Sequence, residues 1–287
     1  MSEFARRVAS ALVAAPIAIF AVWYGDAALA TMAAGLAAVG AWEYTRIARG
    51  AGHAPIAPLA IVLAALIPLA VHAHTLGVVR LDAVWGVLAL LIIFAATLWM
   101  RGMAGHPTAA AATTLFAPCY TGGSLAFVYL LRYHPYAVGE TAGALTVLFP
   151  IVLTWASDTG AYVAGRLIGG RKLMPSVSPG KTVSGAIGGV LLTVMVAVLF
   201  TKQLLIPQAQ LAFTLTGMLV VGIATSVTAQ IGDLVESMIK REGGVKDSGS
   251  FFPGHGGVLD RLDSIFFVMP VMYLLYDWLL IPAPGVR

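Results

Sequence analysis

The stretch Val183–Phe200, VSGAIGGVLLTVMVAVLF, runs for eighteen residues without a charge or a proline. At a rise of 1.5 Å per residue a helix of that length covers about 27 Å, close to the roughly 30 Å hydrocarbon core of a bilayer. Eight other stretches are of similar kind: Val8–Tyr24, Ala27–Trp42, Pro55–His72, Asp82–Met100, Ala109–Leu131, Gly143–Val163, Gln208–Gln230 and Leu262–Ile281. The one at Ala109–Leu131 is interrupted by Pro118, Gly122 and Gly123. Composition agrees, with 59% apolar and 10% charged residues and a mean hydropathy of +0.89, values that a water-soluble domain does not carry. The expected fold is an all-α polytopic membrane protein of about nine transmembrane helices joined by short loops.

Met1–Tyr24 resembles a signal peptide, with Arg6 and Arg7 ahead of an apolar run, but Trp23 and Tyr24 occupy the place where small residues mark cleavage. It reads as a retained first span. With the N-terminus in the cytoplasm and nine spans, 13 basic residues fall in inside segments and four, Arg80, Arg132, Lys202 and Arg287, fall outside. That asymmetry satisfies the positive-inside rule. The expected location is the inner membrane, with multiple passes. No polar segment is long enough for a soluble domain, so residues 1–287 read as one integral membrane domain, with few motifs in 1–142 and the polar motifs in 143–287.

The basic balance, pI near 9.3, does not point to nucleic acid, because the Lys and Arg residues are scattered over several loops and form no stripe. The single cysteine, Cys119, excludes an intramolecular disulfide and a Cys-based zinc site, and reads as a packing residue.

The acids are unevenly placed. Of 13 in the chain, Asp233, Glu236, Glu242, Asp247, Asp260 and Asp263 lie within 31 positions. If the eighth helix continues past Gln230, then Asp233, Glu236 or Ser237, and Lys240 share a face at the inner end of the span. Asp260 and Asp263 open the ninth helix three residues apart. A glycine-rich loop folding back between these helix ends could bring Asp233 and Asp260 together, and paired carboxylates at a water interface suit Mg²⁺. Lys240, Arg241, Lys246 and Arg261 supply cationic donors, while Gly243, Gly244, Gly249, Gly254, Gly256 and Gly257 let backbone N–H groups approach a ligand. The mixture suits a metal-bound polyphosphate, since ionisable residues at membrane depth mark function.

A second polar group follows Asp158 in the sixth span: Gly165–Thr182, GRLIGGRKLMPSVSPGKT, a basic, Gly- and Ser-containing loop able to bind phosphate or anionic head groups. Its Gly180-Lys181-Thr182 is not a P-loop, because Pro175 stands where the first glycine should be and no β-strand is expected ahead of it.

Ser237-Met-Ile-Lys-Arg241, Lys246-Asp247, Phe252-Pro-Gly-His-Gly-Gly257 and Asp260-Arg-Leu-Asp263 together resemble the signature of the phosphatidate cytidylyltransferases, or CDP-diacylglycerol synthases. Asp158-Thr-Gly-Ala-Tyr162 and Ser178-Pro-Gly-Lys-Thr182 are similar to a second characteristic region. The sequence departs from that pattern at Gly180, where the family often has a second Lys, and at Val183-Ser184, where it usually has Trp-Glu. In the first 100 residues only Trp42-Glu43 matches.

The resemblance implies that CTP and phosphatidate give CDP-diacylglycerol and pyrophosphate. It implies Mg²⁺ on Asp233 and Asp260, with or without a second cation, and Asp263 as a further candidate ligand. Lys240, Arg241, Lys246 and Arg261 would offset phosphate charge, with Asp247 in the same catalytic set. Asp158, Ser178, Lys181, Ser237, Gly256 and Gly257 would bind substrate, and His255 would shape the glycine loop or assist the leaving pyrophosphate. The active site would face the cytoplasm, and a homodimer is implied, in keeping with the small residues Gly185, Gly188 and Gly189 on one helix.

Two other classes share parts of this pattern. A secondary transporter also uses intramembrane carboxylates, but sets them at mid-membrane on related repeats, whereas these acids gather at helix ends. A CDP-alcohol phosphotransferase carries a motif that begins Asp-Gly and ends Gly-x-x-x-Asp in one short helical run, which this sequence lacks.

Overall fold

The computed structural model describes residues 3–103, 106–254 and 256–283, with side chains from residue 12 onward. The helices are α1 (Glu3–Tyr24), α2 (Asp26–Gly50), α3 (Ala57–Thr75), α4 (Ala83–Arg101), α5 (Pro107–Pro118), α6 (Ser124–Arg132), α7 (Glu140–Leu167), α8 (Val183–Phe200), α9 (Leu215–Glu242) and α10 (Val258–Leu279). A π-helical turn, Cys119–Gly123, joins α5 to α6, and another, Thr201–Ala209, prolongs α8. Each lies at a proline, Pro118 and Pro207, whose missing N–H breaks the α-helical ladder. Nine continuous helical segments therefore stand among the described residues, matching the nine expected stretches.

Six of the nine are long and apolar enough to cross a bilayer: Ala57–Thr75, Ala83–Arg101, Pro107–Arg132, Glu140–Leu167, Val183–Ala209 and Leu215–Glu242. The helices α2 and α10 each carry four charged residues. On α4 the large apolar side chains face outward, with Leu91 56%, Leu98 67% and Trp99 81% exposed. Such a surface is stable only against lipid or another apolar partner. Cys119, expected to pack, is exposed at its π turn.

The all-α expectation misses two short ribbons. β1 (Lys172–Met174) pairs antiparallel with β2 (Ser178–Thr182), and β3 (Leu211–Ala212) with β4 (Ile281–Pro282). Gly180-Lys181-Thr182 thus lies in a strand, and the Thr182 hydroxyl caps α8 by accepting from the Gly185 amide at 3.1 Å.

The chain forms two compact units: Met1–Tyr129 with Met238–Leu262, and Leu130–Ser237 with Asp263–Arg287. In the first unit α2, α3 and α5 pack through small residues. Only a glycine fits at Gly122, because a Cβ there would strike the Ala64 carbonyl. In the second unit α7 and α8 meet along a glycine seam, where a Cβ on Gly185 would meet the Ala161 carbonyl at 2.7 Å and one on Gly188 would strike Ala164. Gly189 approaches the Ser157 carbonyl in the same way. These three glycines are therefore taken up inside one chain and lend nothing to a dimer contact. Beside the seam Phe149, Phe200 and Phe213 stack with centroids 5.0 and 5.8 Å apart, and the buried Tyr276 hydroxyl donates to the Thr146 carbonyl at 2.8 Å.

Candidate active site

In the first unit the chain leaves α9 through Gly243 and Gly244. Gly244 takes φ +69, a left-handed helix stop, and Val245 N closes back on the Lys240 carbonyl at 2.9 Å. The loop then turns tightly at Gly254 and Gly256, φ +79 and +85, where Phe252 N donates to the Gly256 carbonyl. It ends at the first turn of α10, where Asp260 collects its donors. Lys240 Nζ lies 2.8 Å from Asp260 Oδ1. The amides of Ser248 and Gly257, each at 2.8 Å, and the Ser248 hydroxyl at 2.9 Å converge on Asp260 Oδ2. Asp260 precedes the apolar run that begins at Leu262. Burial alone would raise its carboxyl, but hydrogen bonds from Lys240, the Gly257 amide and the Ser248 amide, with the Lys240 charge, outweigh burial and hold it below its ordinary value.

Behind Asp260 stands Glu43 of α2, fully buried. Its Oε1 accepts from Val258 N at 3.0 Å, and its Oε2 from Leu259 N at 2.9 Å and from the Ser248 hydroxyl at 2.8 Å. Gly257 is a requirement of close approach, since a Cβ there would strike both Ser248 Oγ and the Glu43 carboxylate. Arg241 lies in the last turn of α9, Lys246 and Asp247 on the loop that follows it, and Arg261 in the first turn of α10. His255 lies outside the described residues.

In the second unit Lys181, on β2, reaches α9 and lies 2.6 Å from Asp233 Oδ2. The Ser237 hydroxyl approaches Asp233 Oδ1 at 3.4 Å, one helical turn on. Asp263 stands within electrostatic range of Asp233, Asp158 and Lys181, so one lysine faces three carboxylates. Beside them opens a cavity of about 560 Å³ lined by Asp158, Tyr162, Arg166, Lys181, Gln230 and Asp233, among others. Its lining residue Gln230 is held by neutral bonds, Nε2 donating to Ser226 Oγ at 3.0 Å and to the Ala186 carbonyl at 3.2 Å, and Ser226 Oγ lies 2.8 Å from Ser157 Oγ. Ser178 opens β2 and is not among the residues lining the cavity.

Asp158, Lys181, Asp233, Ser237 and Asp263 are thus brought together in one unit. Lys240, Gly257 and Asp260 are brought together in the other. Sequence reasoning gave no role to Glu43, Ser248 or Gln230. For Glu43 a signal exists, because it is an acid directly after an apolar stretch, beside Trp42.

A sequence profile of the Cytidylyltransferase family matches residues 5–279, nearly the whole chain. The chain belongs to the cytidylyltransferase family. Among its cytidylyltransferase relatives, the phosphatidate cytidylyltransferase of Haemophilus influenzae is 41% identical over 159 residues, 54% of each chain. That of Bacillus subtilis is 46% identical over 133 residues, 46% of this chain and 48% of its own. That of Staphylococcus epidermidis is 41% identical over 165 residues, 58% of each. The chain therefore spans about half the length of the curated relatives it matches.

Among the described residues of this cytidylyltransferase-family chain, no three or more His, Cys, Asp and Glu side chains form a group able to hold a metal by themselves. Asp260 Oδ2 takes the Ser248 and Gly257 amides and shares the Ser248 hydroxyl with Glu43, while Oδ1 takes Lys240 and keeps a lone pair for a further partner, and Asp233 holds Lys181. Each of the two carboxylates, in its own unit, is of the kind that a hard cation such as Mg²⁺ takes singly, completing its shell with water and substrate phosphate. Neither fits an ion caged wholly by protein.

Proposed function

We propose that this chain transfers the cytidylyl group of CTP to phosphatidate, giving CDP-diacylglycerol and pyrophosphate. The observation that carries this is the Lys181–Asp233 pair beside a cavity of about 560 Å³ that also presents Asp158, Tyr162 and Arg166. Anion-binding and cation-binding groups stand side by side there, as a metal-loaded polyphosphate requires. The name that the relatives carry, phosphatidate cytidylyltransferase, supports the same activity.

A phosphate oxygen of the lipid forms the new bond to the α-phosphorus of CTP. The bond from that phosphorus to the α,β-bridging oxygen breaks in line, and pyrophosphate leaves with the electron pair. The nucleophile is already anionic, so no strong base is needed, and catalysis rests on positioning and charge neutralisation. Asp233 in one unit and Asp260 in the other would each offer a carboxylate to Mg²⁺, which would supply charge neutralisation at the triphosphate. Lys181 binds a phosphate oxygen while holding Asp233 in place, and Ser178 and Ser237 add hydroxyl donors. Lys240 fixes Asp260. Arg241, Lys246 and Arg261 compensate substrate charge from the loop, with Asp247 orienting them. Gly256 and Gly257 keep side chains out of the way of an approaching phosphate, with the Gly257 amide given to Asp260 Oδ2, and Asp158 and Asp263 shape the field at the cavity.

The topology that accompanies this function has nine crossings in the inner membrane, the N-terminus and active site on the cytoplasmic side, and two copies of the chain per assembly. Single cysteines at Lys246 and Lys202, in a chain lacking Cys119, should be labelled by an impermeant thiol reagent from opposite faces. Light scattering in detergent reads the copy number.

Purified protein in detergent, given CTP, phosphatidate and Mg²⁺, should release pyrophosphate and form CDP-diacylglycerol. Absence of both products, or an undiminished rate for Asp233→Ala or Asp260→Ala, refutes the proposal.

A further inference from the structure

Glu43 is a charged side chain that takes no part in the reaction as written, yet it is fully buried. A buried carboxylate persists only when its oxygens are satisfied. Here it accepts the amides of Val258 and Leu259 and shares with Asp260 the one hydrogen of the Ser248 hydroxyl, all from the segment that delivers Asp260. Two of these are orphan N–H groups of the first turn of α10, where negative charge is also favoured by the helix dipole. The third links directly to Asp260, because Ser248 Oγ lies 2.8 Å from Glu43 Oε2, 2.9 Å from Asp260 Oδ2 and 3.3 Å from Asp260 N. Gly249 and Gly257 leave room for this approach. A Cβ on Gly249 would come within 2.5 Å of Glu43 Oε1, and one on Gly257 would strike the same carboxylate.

We infer that Glu43 is a positioning residue for Asp260, acting through Ser248 and through the first turn of α10. The role reaches beyond capping a helix, since the same carboxylate fixes both the backbone that carries Asp260 and the hydroxyl on its Oδ2. An N-terminal helix thereby sets the geometry of a residue 217 positions later. The inference rests on the proposal that Asp260 serves Mg²⁺-dependent cytidylyl transfer.

The test uses the full chain in detergent, as wild type, Glu43→Gln, Ser248→Ala, the double variant, and Asp260→Asn. Hydrogen–deuterium exchange is followed without substrate or metal, and pyrophosphate release is titrated with Mg²⁺. Gln keeps the shape of Glu43 but offers one acceptor atom in place of two. Exchange at Val258 and Leu259 should quicken at least tenfold in Glu43→Gln, with α7 unaffected. Partners of ligating carboxylates typically tune metal affinity about 10–100-fold, so the Mg²⁺ concentration for half-maximal rate should rise about tenfold or more. Ser248→Ala should raise it likewise, and the double variant should be no worse than the worse single. Faster exchange with an unchanged Mg²⁺ requirement overturns the inference, leaving Glu43 a cap only, and so does additive behaviour. Should Glu43→Gln not fold, Glu43→Asp, which keeps the charge but draws the carboxylate back from Ser248 and α10, takes its place, and an unchanged Mg²⁺ requirement there overturns the inference. A full rate in Asp260→Asn overturns the proposed role of Asp260 and the inference with it. A lost rate in Asp260→Asn beside a wild-type Mg²⁺ response in Glu43→Gln and Ser248→Ala overturns the inference alone.

Discussion

Lys181 Nζ stands 2.6 Å from Asp233 Oδ2, joining the β1–β2 ribbon to α9 within one unit. Removing that ammonium leaves Asp233 facing Asp158 and Asp263 without the lysine charge that offsets all three. Loss of one positioned donor at a centre of developing charge costs about 100-fold or more in rate. Lys181→Ala is therefore expected to lower kcat by at least that factor at saturating CTP and Mg²⁺, with Lys181→Arg retaining part of it. Steady-state rates in detergent decide this, and an unaltered kcat in Lys181→Ala would remove Lys181 from the site.

Gly257 has no room for a side chain, and Gly180 has nothing within 4 Å of where one would go. Gly257→Ala should cost about 1–3 kcal/mol, as overpacking of a tight site does. Gly180→Ala or Gly180→Lys should fall within about 0.5 kcal/mol of wild type. Thermal unfolding of the purified variants separates the two, and equal melting points would contradict the packing described for the Glu43–Ser248–Gly257 contact.

The glycine seam between α7 and α8 makes a third case. Gly188→Leu would drive a side chain into Ala164 and the Gly160 carbonyl. Helices in lipid associate largely through such close approach, so a loss of stability of about 2 kcal/mol or more is expected. Unfolding in detergent checks it, and a silent substitution would show that the two helices are not in that contact.

The depressed carboxyl of Asp260 links stability to pH. A group held below its unfolded value, about 3.9 for Asp, contributes its full stabilisation above that value and loses it as pH falls through the lower folded one. The gap in melting temperature between wild type and Asp260→Asn should stay constant from about pH 7 to pH 5 and close below about pH 4. A gap that ignored pH across that range would argue against the Lys240, Gly257 and Ser248 bonds as its source.

Much of the layout was legible because hydrophobic length is a direct property of sequence. All nine apolar stretches became helical segments, and the condition that the eighth continue past Gln230 is met by α9 running to Glu242. The β1–β2 ribbon was not legible, since Lys172–Thr182 is polar and contains Pro175 and Pro179, and its strands are set by pairing with each other. Asp158, Asp233 and Asp263 stood out as acids in apolar surroundings. Glu43 was equally conspicuous by chemistry, but its partners Ser248, Val258 and Leu259 lie more than 200 residues away, a distance no local pattern spans. The two-unit partition was likewise hidden, because residues 238–262 join the N-terminal helices by long-range contact.

The hydroxyl of Ser248 carries a single hydrogen yet lies within bonding reach of two acidic side chains. It can point at only one of them at a time. Whichever way this rotor turns, the other carboxylate is left with one donor fewer. Any ligand that drew Asp260 away from Ser248 would free the hydroxyl to turn wholly toward the buried end, so occupancy at the mouth of the loop would be registered on α2, near the start of the chain, as nothing more than a bond rotation.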